Sequence, residues 1–146
     1  MTDIATVGVI GAGQMGACIA QVAAQAGYDV ILSDIDIARA DKGKAGIARL
    51  LARAVEKEKM TQADADAALG RIETVGDIAP LGRAQLVIEA ATEREEIKRS
   101  IFGNVGPLLA KDAILASNTS SIPITRLAQA APDATRFVGE IGRAHF

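Results

Sequence analysis

The chain has no tryptophan, one tyrosine and three phenylalanines in 146 residues, so it lacks the aromatic platforms on which unpaired bases stack. It has no cationic excess either. Lys and Arg number 16 against 18 Asp and Glu, for a net charge of -2, and a basic footprint for a phosphate backbone is missing. Nucleic acid is therefore not an expected partner. The single cysteine, Cys18, excludes an intramolecular disulfide framework and a multi-cysteine zinc site, and no metal site is read. That usage fits a reducing compartment, and Cys18 itself reads as a packing residue on the first helix. No apolar run approaches the roughly 18 residues of a membrane span. Met1-Thr2-Asp3 lacks the basic start of a secretion signal, so the expectation is a soluble, cytoplasmic protein with no membrane partner.

What is present is apolar and glycine-punctuated. Hydrophobic residues make up 49% of the chain, enough for one domain to bury a core without covalent staples. Val7 to Ile10 reads as a strand, and Gln14 to Ala26 as a helix with Ile19, Val22, Ala23 and Ala26 inward and Gly27 as its stop. Asp29 to Leu32 is the second strand. Asp36 caps a long helix to about Lys59 with Ile47, Leu50, Leu51, Ala54 and Val55 inward, and Thr61 caps a shorter helix to Gly70. Ile72 to Val75, Leu86 to Glu89 and Ala113 to Ser117 read as strands, and Phe137 starts another. Thr92 with Glu95 forms a capping box for a helix to about Ala110, and Ile124 to Ala130 is a short helix. Such alternation implies an α/β fold: a doubly wound, mostly parallel sheet with helices on both faces. In sheets of this kind ligands sit beyond the carboxyl ends of the strands, which selects three polar clusters: Gly11 to Gly16, Glu89 to Lys98 and Asn118 to Ser121.

The first cluster carries the strongest signal. Gly11-Ala12-Gly13-Gln14-Met15-Gly16 follows a β-branched strand and opens an Ala-rich helix, and Asp34 lies 18 residues beyond Gly16. In that context the glycines read as a Rossmann-type dinucleotide fingerprint. Gly11 makes the turn, Gly13 admits the pyrophosphate, and Gly16 lets the helix pack closely on the sheet. Asp34 would accept the adenosine ribose hydroxyls and repel a 2′-phosphate, which favours NAD over NADP. The lesser readings are a helix cap for Asp34 and a ligand-free turn for the loop.

Val87-Ile88-Glu89-Ala90-Ala91-Thr92-Glu93, Ala116-Ser117-Asn118-Thr119-Ser120-Ser121-Ile122 and Arg136-Phe137-Val138-Gly139, taken with the glycine loop, resemble the NAD-binding domain of 3-hydroxyacyl-CoA dehydrogenases over residues 3 to 139, and most of all the bacterial 3-hydroxybutyryl-CoA branch. The resemblance implies reversible hydride transfer between C3 of a short-chain 3-hydroxyacyl-CoA and the nicotinamide. It places Gly11, Gly13, Gln14, Met15, Gly16, Asp34, Glu93, Lys98 and Asn118 at the cofactor, Ser120 at the substrate's 3-oxygen, and Lys57 at a coenzyme A phosphate. A hydroxyl suits the Ser120 role because it can donate to a ketone and accept from an alcohol. Without the resemblance these residues have plainer readings. Glu93, Glu95 and Glu96 complement a helix dipole, Asn118 to Ser121 form a turn and cap, and Lys57 belongs to a solvated charged face.

One segment departs from the family pattern. The family places a general-base histidine, followed by Phe, two residues after the glycine that aligns with Gly139. Here that slot is Ile141, and the only histidine, His145, comes four residues later. Either four residues are inserted before a genuine His145-Phe146 pair, with His145 the catalytic base out of register, or residues 140–146 are a tail outside the pattern; the second is favoured, because a general base must lie within hydrogen-bond reach of its proton. The helical domain that follows in the family, and through which its members dimerise, is likewise missing from the sequence. The expectation is a domain, residues 1–139, that binds NAD and turns over little, with the face that would dock the helical domain left apolar. A 3-hydroxyisobutyrate-type dehydrogenase and a non-catalytic NAD-sensing module are the alternatives.

Overall fold

The computed structural model describes residues 4–91, 95–110, 113–118 and 137–140. Six strands form one parallel sheet: β1 (Thr6–Ile10), β2 (Asp29–Ser33), β3 (Ile72–Val75), β4 (Leu86–Glu89), β5 (Ile114–Asn118) and β6 (Phe137–Glu140), in the order β3-β2-β1-β4-β5-β6. Val7 lies level with Val30 on one side and Leu86 on the other. The chain thus winds outward from β1 to β3, returns to place β4 against β1, and continues away, the arrangement of doubly wound nucleotide-binding sheets.

Alternation along the strands sorts the core into two layers. Val7, Val9, Val30, Leu32, Ile88 and Ala116 face one side. There they meet helices α1 (Gln14–Gln25), α2 (Ile37–Glu56) and α3 (Gln62–Gly70) through Ile19, Ala23, Ile47, Leu51, Ala65 and Ala68. Ile10, Ile31, Val87 and Leu115 face the other side. They pack on Phe102 and Val105 of α4 (Glu95–Val105), on Leu81 of the 3₁₀ segment Ala79–Arg83 before β4 and on Ala84 directly after that segment. Burial on both faces is what makes β1, β2 and β4 continuous apolar runs rather than alternating ones.

The anticipated helix signals hold at three termini. Asp36 accepts from the Arg39 N–H at 2.8 Å and Thr61 from the Asp64 N–H at 3.1 Å, each satisfying a first-turn donor. At Gly27, φ is +104°, and the N–H groups of Gly27 and Tyr28 close on the carbonyls of Ala24 and Ala23. Elsewhere the structure corrects the sequence. α2 ends at Glu56, not Lys59, because Glu58 takes a left-handed φ of 58° and bonds from Glu58 and Lys59 to Val55 and Ala54 close the helix without a glycine. Val22, Ala26 and Leu50 are exposed, since the sheet touches a narrower stripe centred on Ile19, Ala20, Ala23 and Ala24 of α1 and on Ala40, Gly43, Ile47 and Leu51 of α2. Cys18 is exposed as well and does not pack. α4 stops at Val105, with a 3₁₀ turn over Gly106–Leu108 absorbing the rest, and β5 is shifted one residue, to Ile114–Asn118. Thr92 and the helix expected over 124–130 lie outside the described residues.

No helix among the described residues is long and apolar enough to cross a membrane, and no group of His, Cys, Asp or Glu among them is arranged to hold a metal.

Candidate functional site

Past the carboxyl ends of β1 to β4 lies a cleft of about 640 Å³. It opens where β1 and β4 part to opposite halves of the sheet, the switch point at which parallel sheets bind ligands. Its floor is Ile10, Gly11 and Gly13 after β1 and Ala90 and Ala91 after β4, and its sides are Ser33 to Ile35 after β2 and Gly76 to Ile78 after β3. Ile97 and Ile101 of α4 close it.

Each loop glycine answers a different demand. Gly11 has φ +102°, and a Cβ there would lie 2.6 Å from Ala91 Cα, so both its conformation and its closeness to the segment after β4 require glycine. Glu89 supports that segment. Its side chain is fully buried and its Oε2 accepts the Ala91 N–H at 2.7 Å. At Gly16 a Cβ would fall 1.6 Å from the Gly11 carbonyl oxygen. What Gly16 admits is thus the loop itself more than the sheet, a refinement of the expected helix-packing role. Gly13 is the opposite case: a Cβ there would meet nothing within 4 Å. Gly13 caps α1 with no side-chain hydrogen bond and no acid in the first turn, and the helical ladder starts with the Ala17 N–H donating to the Gly13 carbonyl. The first-turn amides of Gln14, Met15 and Gly16 have no partner within the helix and stand at its positive end, behind the open space at Gly13. Gln14 and Met15 are exposed there.

Asp34 stands directly after β2, with its Oδ2 accepting the Ala12 N–H at 2.8 Å and its Oδ1 accepting the Ile35 N–H at 2.7 Å. It is not a helix cap; Asp36 does that work. Around it are residues the sequence reading passed over. Ile35 is 75% exposed and Ile97 38%, and together with Ile78 and Ile101 they give the cleft apolar walls. Arg39 lines the same rim, loosely paired with Asp36 at 3.9 Å. The available signal was an isoleucine standing where an exposed loop begins, directly after the acid. A helix N-terminus with open space before it, a carboxylate acceptor and an apolar slot are the three kinds of element that an adenosine diphosphate requires.

The other expected residues lie outside the described residues, wholly or in their side chains, or away from this cleft. Lys98 lies on α4 and Asn118 ends β5, next to the carboxyl end of β4, but their side chains lie outside the described residues. Glu93, Ser120 and His145 lie outside them altogether. Lys57 caps the C-terminus of α2, whereas Asp36 and Arg39 mark its start. At 1.5 Å per residue that is about 30 Å along the helix axis, so the fold does not bring Lys57 to the cleft.

The sequence matches the family described as 3-hydroxyacyl-CoA dehydrogenase, NAD binding domain, over residues 6–146. It is 49% identical over 136 residues to a 3-hydroxybutyryl-CoA dehydrogenase of Bradyrhizobium diazoefficiens, covering 93% of this chain and 46% of the relative. A 3-hydroxyadipyl-CoA dehydrogenase of Escherichia coli is 40% identical over 139 residues, with 95% and 29% covered. Among solved structures, the (S)-3-hydroxybutyryl-CoA dehydrogenase of Ralstonia eutropha superposes with a TM-score of 0.91 at 44% identity, covering 94% of this chain and 48% of that one. The chain spans about half the length of the curated 3-hydroxybutyryl-CoA dehydrogenases it matches in Bradyrhizobium diazoefficiens, Deinococcus radiodurans and Mycobacterium tuberculosis.

Proposed function

The chain belongs to the 3-hydroxyacyl-CoA dehydrogenase family, as its NAD-binding domain, and from that premise we propose that it serves an NAD-dependent oxidoreductase acting on the C3 hydroxyl or ketone of a short-chain 3-hydroxyacyl-CoA. The observation that carries the reading is the cleft at the β1/β4 switch point, where the open space before Gly13 and the Asp34 carboxylate stand together. The relatives named for 3-hydroxybutyryl-CoA support the substrate class.

In this reading the amides after Gly13 bind the pyrophosphate, Asp34 accepts the adenosine ribose hydroxyls, and Ile35, Ile78, Ile97 and Ile101 exclude water from the adenosine end. Bound NAD supplies the hydride acceptor. Glu93, Lys98 and Asn118 orient the nicotinamide half. The Ser120 hydroxyl donates to the 3-ketone or accepts from the 3-alcohol, holding that oxygen in one geometry for both directions. Lys57 is assigned to the phosphate end of coenzyme A on the family resemblance alone. The proton of the alcohol needs a base, and His145 stands four residues out of register with the family's histidine, so residues 140–146 are assigned to a tail outside the catalytic pattern.

The 146-residue chain is accordingly expected to bind NADH and to reduce acetoacetyl-CoA little or not at all. Titration of NADH fluorescence and a steady-state assay on the same preparation test both halves. Absence of saturable NADH binding would remove the cofactor assignment, and robust acetoacetyl-CoA turnover would overturn the inactivity.

A further inference from the structure

The Asp34 carboxylate reaches back across the glycine loop. One lone pair on Oδ2 takes the Ala12 N–H at 2.8 Å and one on Oδ1 takes the Ile35 N–H at 2.7 Å. A carboxylate offers about four acceptor positions, so each oxygen keeps one, enough for the two hydroxyls of a ribose. The backbone bonds therefore do not compete with the sugar.

The Ala12 bond grips the loop between its first two glycines, and the surroundings leave that residue few alternatives. The Gly11 N–H donates to the Ser33 carbonyl at 2.7 Å, tying the loop to the end of β2. From the other side α2 leans on Ala12. The position a Cβ would take on Gly43 is 2.7 Å from the Ala12 carbonyl oxygen and 2.9 Å from its Cβ. Ala12 is thus held by a side chain 22 residues away and braced by a helix, and the amides that follow it begin α1.

We propose that Asp34 is a positioning residue for the pyrophosphate: besides accepting the ribose hydroxyls, its carboxylate fixes Ala12 so that the α1 amides are set for an anion before the cofactor arrives. This rests on the reading of the cleft as the NAD site. Asparagine is the informative substitution. Its amide retains one carbonyl oxygen and turns an NH₂ toward either Ala12 or Ile35, a donor against a donor.

Two measurements on Asp34→Asn test the proposal. In the cofactor-free protein, hydrogen exchange at the Ala12 amide should accelerate about tenfold or more, the worth of a lost charge-assisted hydrogen bond, while the Val7 and Val9 amides in β1 stay protected. Binding of an NADH analogue built on 2′,3′-dideoxyadenosine should weaken about tenfold. A residue acting only through the ribose would leave that affinity unchanged. Unaltered exchange at Ala12 in both Asp34→Asn and Asp34→Ser, or affinity of both variants for the dideoxy analogue equal to that of the unsubstituted protein, overturns the proposal. Should Asp34→Asn lose protection throughout β1, Asp34→Ser, whose shorter hydroxyl does not reach Ala12, carries the same two measurements. If the unsubstituted protein fails to bind NADH, the cofactor reading falls while the exchange result at Ala12 still decides the positioning role.

Discussion

Gly13 and Gly16 occupy one loop, and the same added methyl would have opposite fates at the two positions. At Gly16 it collides with the Gly11 carbonyl, which is backbone and cannot step aside. Gly16→Ala is expected to lower stability by about 1–3 kcal/mol, the usual range for an overpacked site, and to abolish measurable NADH binding by deforming the loop. At Gly13 the methyl enters empty space. Gly13→Ala should keep its stability within about 1 kcal/mol. It should still weaken NADH binding about tenfold or more, because the methyl would stand in the proposed pyrophosphate seat. Thermal unfolding and NADH titration on both variants check the contrast, and a Gly13→Ala protein that binds like the parent would contradict the pyrophosphate seat. The glycines and Asp34 were legible at this scale because their spacing is itself the signal. The bond from Asp34 to Ala12 and the isoleucine walls were not, because they depend on which strand ends the fold sets side by side.

At the scale of elements, helix ends were legible wherever a residue type announces them. Asp36, Thr61 and Gly27 did so, through a side-chain acceptor or the freedom to take positive φ. The end of α2 carried no such mark. Glu58 occupies the left-handed position that glycine usually fills, and the helix closes there through Glu58 and Lys59 N–H bonds to Val55 and Ala54. A left-handed residue with a Cβ costs roughly 1–2 kcal/mol relative to its ordinary conformation. Glu58→Gly is therefore expected to stabilise the protein by about 1 kcal/mol, after the extra chain entropy of glycine is set against it. A raised urea midpoint with an unchanged slope would show it; an unchanged or lowered midpoint would refute it. Helical periodicity was similarly informative about type and less so about face. It found Ile19, Ala23, Ile47 and Leu51, and it overreached at Val22 and Leu50, which sit at the margin of a stripe whose width the sheet decides.

For the whole molecule, the apolar surface round the cleft has a consequence in solution. Ile35 is 75% exposed and Ile97 38%, and both line the cleft. Clustered apolar exposure of this kind favours association. The 146-residue chain is expected to self-associate as its concentration rises, and sedimentation velocity checks this; a strictly monomeric species over the accessible range would count against it. Alternating strands and helices, a glycine fingerprint and a correctly spaced acid were sufficient for the sequence by itself to determine a parallel α/β domain that binds a dinucleotide, because local periodicity and backbone sterics act over a few residues. Tertiary structure alone decided the strand order β3-β2-β1-β4-β5-β6, the isoleucines that wall the cleft, and the reach of Asp34 to Ala12. Those features join residues distant in sequence, and only the packing of two helical layers on one twisted sheet brings them together.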